Sequence, residues 1–229
     1  DMEAAIRGAT IGIFYGKGEV CAAGSRLLVE RSAHDELVPA VAAGAGKMTV
    51  GDPREPTTRV GPLITREHFA RVSGFVSRAL AAGVKPIFGG KRHAAGELYF
   101  EPTLFEIRDG EVEIAKHEVF GPVLTWQTFG DDAECLQLAN STRYGLAAMI
   151  YSRDPARVER LDQVLGNAAE TEATHEDRGS GRNERNGGVG ARKHLVHGAI
   201  IASSASSGVR ATSRRQRTPR RAWFLTEGR

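Results

Sequence analysis

The chain has 229 residues, 41% hydrophobic and 26% charged, with a formal net charge of +3. This is ordinary globular composition, long enough for one large domain or two small ones. No apolar run approaches the roughly 18 residues of a membrane span, and no basic segment leads into an apolar one as in a secretory signal. Two cysteines, Cys21 and Cys135, cannot form a disulfide framework, and they fit a reducing compartment such as the cytoplasm. Because the chain begins at Asp1, upstream residues with any targeting signal are expected to be missing.

In chain order, the apolar spacing of Met2, Ala5, Ile6, Ala9, Ile11 and Ile13 predicts a helix over residues 1–13. A strand follows at Arg26–Glu30, and Ser32 is expected to cap a helix running to about Lys47. Glycines and prolines between Gly51 and Pro62 mark a loop. A helix is then expected over 66–82, with Phe69, Val72, Phe75, Val76 and Leu80 on one face and Gly83 as its stop. Short strands are expected at 84–88, within 98–105 around Pro102, and at 123–129. Asp131 and Glu134 cap a helix to Asn140 that draws Cys135 toward the core. Residues 147–151 form a strand, and Asp154-Pro155 opens a helix to about Leu165. Strands alternating with helices imply an α/β fold with a largely parallel sheet flanked by helices.

The composition changes near Asn167. Residues 168–229 carry 12 Lys and Arg against 6 Asp and Glu, and 168–222 contain no Phe, Tyr or Trp. Such a segment buries too little apolar surface to offset its ordering entropy, so a disordered basic tail is expected.

Cys21 stands out chemically. Gly18, Ala22, Ala23 and Gly24 leave space around its sulfur, and the strand after Ser25 fixes the loop. Access and rigidity suit a nucleophilic thiolate, although most free cysteines are small buried hydrophobes. Gly18-Glu19-Val20-Cys21-Ala22-Ala23-Gly24-Ser25-Arg26 resembles the active-site segment of the aldehyde dehydrogenase superfamily, Gly-Gln/Glu-x-Cys-x-Ala-x-x-Arg. Glu118-Val119-Phe120-Gly121-Pro122-Val123, roughly a hundred residues on, resembles that family's Glu-Ile-Phe-Gly-Pro-Val motif. The resemblance covers residues 1 to about 167 and implies the family's catalytic-domain fold.

It further implies that Cys21 attacks an aldehyde to give a thiohemiacetal, then a thioester that water releases as a carboxylic acid, with NAD or NADP as hydride acceptor. The Cys21 backbone N–H is a natural oxyanion donor. Glu118 and Phe120 are implied to position the cofactor, the carboxylate accepting from ribose hydroxyls and the ring limiting the nicotinamide. Gly16 stands where the family usually has asparagine, and Glu19 where it more often has glutamine. The family's cofactor domain, general-base glutamate and oxyanion asparagine precede the cysteine segment, so the chain is expected to be a fragment inactive alone. The full-length parent is implied to form homo-oligomers.

Beyond Asn167 the family would continue with a Gly-Thr-Val-x-Val-Asn strand and a Pro-Phe-Gly-Gly loop. Gly187-Gly188-Val189-Gly190 is a faint echo, and the tail is what an altered reading frame would produce. Two other functions remain open. The runs Arg214-Arg215-Gln216-Arg217 and Arg220-Arg221 suit a module binding nucleic acid or an acidic partner, although a solvated tail is the better reading of them. A pseudoenzyme that docks on intact subunits is the second. His194-x-x-His197 and Gly179-Ser180-Gly181 lack the context of a metal site or a dinucleotide loop.

Overall fold

The computed structural model describes residues 2–176 and 198–202, with side chains described for 2–165 and for Ile201. Six helices are described: α1 Met2–Phe14, α2 His34–Gly46, α3 Arg66–Ala81, α4 Glu113–Lys116, α5 Asp132–Ala139 and α6 Pro155–Glu176. The strands are β1 Arg26–Glu30, β2 Pro86–Phe88, β3 Thr103–Glu106, β4 Val123–Phe129, β5 Ala147–Tyr151 and β6 Gly198–Ala202. They form one sheet in the order β2-β3-β4-β1-β6-β5. Every pairing is parallel except that of β2 with β3. This is the α/β architecture expected.

The sheet is covered on both faces because its central strands are apolar in both directions. On β1, Leu27 and Val29 join Ala5, Ala9, Ile13, Leu37 and Val41 of α1 and α2. Leu28, between them, faces the other way and packs with Phe129, Cys135, Leu161 and Ile201. A third cluster sets Phe69, Val72, Phe75 and Val76 of α3 against Phe105 and Val123. Cys135 is fully buried, and burial pushes its thiol up to about 12, as its apolar neighbours in the sequence suggest.

Helix starts follow local chemistry. Thr65, extended, accepts the His68 N–H and caps α3. Asp131 accepts the Glu134 N–H at 2.9 Å to cap α5, and Glu134 reaches back to the Gly130 N–H. Asp154 accepts from Ala156 and Arg157 at the start of α6. Ser32 does not cap α2. A 3-10 turn at Arg31–Ala33 runs straight into the helix, so the preceding residue is Ala33 at φ −98°, ψ −11°, outside the extended conformation a cap requires.

Other expectations need correction. Leu80 is 45% exposed, because it lies at the rim of the α3 stripe in the last turn while Ala79 occupies the buried position. The strand expected over 84–88 is only Pro86–Phe88, and that expected around Pro102 is Thr103–Glu106. Proline at 102 has no N–H to give a ladder, so β3 starts after it. Helix α6 continues to Glu176, well past Leu165. Within the segment expected as a tail, residues 198–202 form β6, which lies between β1 and β5 and joins β5 to the sheet. The remainder of that segment, 177–197 and 203–229, lies outside the described residues.

Arg26 ties the sheet to α5. Although 4% exposed, it meets no carboxylate among the described residues and donates to the Ala139 and Leu138 carbonyls at 3.1 and 2.6 Å and to Ser141 Oγ at 3.2 Å. Those carbonyls are the negative end of the helix, a fitting partner for a guanidinium. Burial lowers the Arg26 pKa to about 10, which leaves it charged at neutral pH. The Arg26→Ala variant is expected to lose about 2–4 kcal/mol of stability in urea unfolding, because buried carbonyls lose a charged donor. A loss under about 0.5 kcal/mol would show the contact to be dispensable.

Candidate functional site

The loop bearing Cys21 is built from backbone rather than from side chains. After α1, Gly16, Lys17 and Gly18 take φ values of 73°, 57° and 69°, three consecutive left-handed residues that reverse the chain. Gly16, where the resemblance leads one to expect asparagine, is in a conformation that both residues adopt. The Ala23 N–H then donates to the Val20 carbonyl at 3.0 Å, closing a turn with Cys21 in its second position. Gly24 N–H donates to Gly12 O at 3.0 Å, and Ser25 O accepts from Thr125 N at 3.0 Å. The loop is thus tied to α1 and to β4. Cys21 is exposed, and among the described residues no acceptor engages its backbone N–H.

The second segment, Glu118–Phe120, leads into β4 and is held by two side chains of α3. Arg71 donates to the Val119 and Glu118 carbonyls at 2.5 and 2.7 Å. His68 Nε2 lies 2.6 Å from Phe120 O, and the two rings meet edge to face at 6.1 Å. Phe120 has φ 58°, so it and Lys17 are the two non-glycine residues with positive φ among those described. Glu118 and Phe120 are half-buried and His117 is exposed. Burial holds the Glu118 carboxyl above the usual carboxylate range, with the Arg71 guanidinium pulling weakly the other way.

The two segments meet. A Cβ built on Gly18 would lie 2.0 Å from the Gly121 carbonyl oxygen, so this contact is open only to glycine. Beside it, the Glu19 side chain is 8% exposed; its Oε2 is 2.5 Å from Lys17 Nζ, and its Oε1 accepts from Ile64 N at 3.1 Å. Oε1 is also 3.3 Å from His68 Nε2. The structure therefore brings the loop of Cys21 against the turn of Glu118 and Phe120, with His68 touching both.

Two surface clefts, of about 300 and 280 Å³, lie elsewhere, at the carboxyl ends of β1, β3 and β4 around Arg31, Glu106, Trp126 and Thr128. Cys21 is at the opposite, amino-terminal end of β1. Among the described residues no group of His, Cys, Asp or Glu forms a metal site, and no helix is long and apolar enough to cross a membrane. His194, His197, the Gly179–Gly181 and Gly187–Gly190 stretches and the arginine runs lie outside the described residues.

Sequence reasoning missed Lys17, His68 and Arg71, and read Glu19 only as a departure from a motif. His68 and Arg71 are three residues apart on α3, which places them on one helix face. That spacing was visible. What was not visible is that a loop fifty residues away would turn its carbonyls toward that face.

Comparison with known proteins identifies the family. The aldehyde dehydrogenase family model matches residues 1–190, further than the stretch carrying the two motifs. Betaine aldehyde dehydrogenase of Bacillus subtilis (strain 168) is 40% identical over 165 residues, which are 70% of this chain and 34% of that protein. The crystal structure of HpcC from Thermus thermophilus superposes with a TM-score of 0.69 at 40% identity, covering 72% of this chain and 33% of its own. Betaine aldehyde dehydrogenase from Staphylococcus aureus, solved in complex with NAD+, gives 0.69 at 35% identity over 72% and 34%. The chain spans about a third of the length of the relatives it matches. With most of the chain matched and its fold shared at these identities, the protein belongs to the aldehyde dehydrogenase family.

Proposed function

We propose that this chain is the cysteine-bearing part of an NAD(P)-dependent aldehyde dehydrogenase, with Cys21 as nucleophile and Glu118 and Phe120 as cofactor-positioning residues. The observation that carries the reading is the packing of the exposed Cys21 loop against the Glu118–Phe120 turn through Gly18 and Gly121. The NAD+ in the Staphylococcus aureus relative supports a nicotinamide cofactor. An aldehyde is the substrate class, and the oligomer expected of the parent belongs to the same proposal.

The Cys21 thiolate adds to the aldehyde carbonyl carbon, forming a C–S bond and placing negative charge on the oxygen. The free Cys21 N–H stands near that charge, and a donor of this kind lowers the barrier by about 3 kcal/mol. Loss of hydride from the same carbon leaves an acyl thioester on Cys21. Water adds to the thioester, a base takes its proton, and the carboxylic acid leaves as the thiolate is restored. A bound nicotinamide would supply the hydride acceptor.

The residues present fit that group. Glu118 is a partly desolvated carboxylate lacking full hydration, and vicinal ribose hydroxyls would replace the missing donors. Phe120 is half-buried on a left-handed backbone whose carbonyl His68 engages. Orientation is their role, since holding the reacting carbon and its acceptor in register removes much of the entropic barrier.

An activated acyl ester isolates the cysteine step, because it delivers the same thioester without hydride transfer. p-Nitrophenyl acetate is expected to release one burst equivalent of p-nitrophenolate per chain, with the acetyl group found on Cys21 by peptide mass spectrometry. Buried Cys135 stays unmodified, and Cys21→Ser abolishes the burst. Acylation no faster than that of a model thiol would overturn the assignment of Cys21.

Glu118 has its own signature. The folded protein holds this proton to higher pH than the unfolded chain does, so Glu118 costs stability as pH rises through its unfolded and then its folded pKa. Below that window it costs nothing. Glu118→Gln is therefore expected to gain stability relative to the parent across the window, and a ¹³C titration should place the Glu118 midpoint above that of a model glutamate. A midpoint at or below the model value contradicts the desolvated site.

A further inference from the structure

We propose that His68 is a positioning residue that locks the Cys21 loop to the Glu118–Phe120 turn. Its Nε2 faces two acceptors, the Phe120 carbonyl at 2.6 Å and Glu19 Oε1 at 3.3 Å, so that nitrogen must carry the hydrogen. One acceptor belongs to each segment. The imidazole is 14% exposed and the Glu19 side chain 8%, so the bridge is shielded from competing water. Helix α3, capped at Thr65, gives the ring a rigid base.

Backbone strain points to the same place. Lys17 and Phe120, the two non-glycine residues in left-handed conformation among those described, both belong to this cluster. Lys17 holds Glu19 through its ammonium, and Phe120 gives its carbonyl to His68. Such conformations persist only where surrounding contacts over-determine them, and they gather at functional sites. The bridge through Glu19 and His68 is the side-chain contact that joins the two strained positions. Arg71, by contrast, holds only the turn, through Glu118 O and Val119 O.

The consequence for catalysis rests on the reading of Cys21 and Phe120 given above. A carbon carried on one loop and a ring limited by the other keep a fixed relation only if the two loops move as one body. The coupling itself does not require Cys21 to be a nucleophile. Its failure and the failure of Cys21 acylation are therefore separate outcomes.

Amide hydrogen exchange on the 229-residue chain tests the lock. The amides of Ala23 and Gly24, bonded to Val20 and Gly12, report on the cysteine loop; those of Thr103 and Val123, bonded to Pro122 and Gly121, report on the turn. In His68→Ala both pairs are expected to exchange roughly tenfold faster or more, whereas in Arg71→Ala only Thr103 and Val123 respond. His68→Gln, which keeps a donor at similar reach, should hold both pairs within about threefold of the parent. A His68→Ala effect confined to one pair, or none, overturns the proposal. So does a glutamine variant that frees either pair, a criterion that holds whether or not the alanine variant folds.

Discussion

Everything at the site depends on how closely the backbone of Gly18 approaches the carbonyl of Gly121. Any side chain at residue 18 would have to occupy the space of that oxygen, so the two segments meet main chain to main chain. Contacts of this kind are stiff, because neither partner can rotate away as a side chain would. The cysteine loop and the turn before β4 are thereby set against each other. The shielded Glu19 and His68 pair reinforces the same junction.

The fold supplies the reason these segments are neighbours. Strands β1 and β4 lie side by side and run parallel, so the loop entering β1 and the turn entering β4 emerge at the same end of the sheet. Cys21 lies five residues before β1, and Phe120 three residues before β4. Arg26, first in β1, is buried and anchored to the end of α5. The arginine in the cysteine motif is thus a fastening for the strand. The loop's position rests on that of the strand, which its two neighbours in the sheet and this anchor hold.

Much of this was legible beforehand. Strands β1, β4 and β5 lie where apolar runs between turn residues placed them, and α5 and α6 start at the caps their first residues announce. Cys21 was visible as an accessible thiol among small residues. Ser32 misled because a 3-10 turn overrode the local capping pattern. Strand β6 was invisible because Gly198-Ala199-Ile200-Ile201-Ala202 is a brief apolar run amid polar residues, and its place between β1 and β5 is decided by partners distant in sequence. His68, Arg71 and Glu19 escaped for a related reason. Their work is done on carbonyls and loops that only the tertiary fold brings within reach.

The most direct test of this account compares two glycines in the same loop. Gly16 and Gly18 have nearly equal φ, 73° and 69°, so alanine at either bears the same left-handed strain. At Gly16 the new methyl would meet only a Val20 methyl at 3.4 Å, while at Gly18 it would meet the Gly121 oxygen at 2.0 Å. In urea unfolding, Gly18→Ala is expected to cost about 2 kcal/mol more than Gly16→Ala, the difference being the steric cost of the junction. Equal costs for the two variants would mean that the loop and the turn are not held by this contact, and the account of the site would fail.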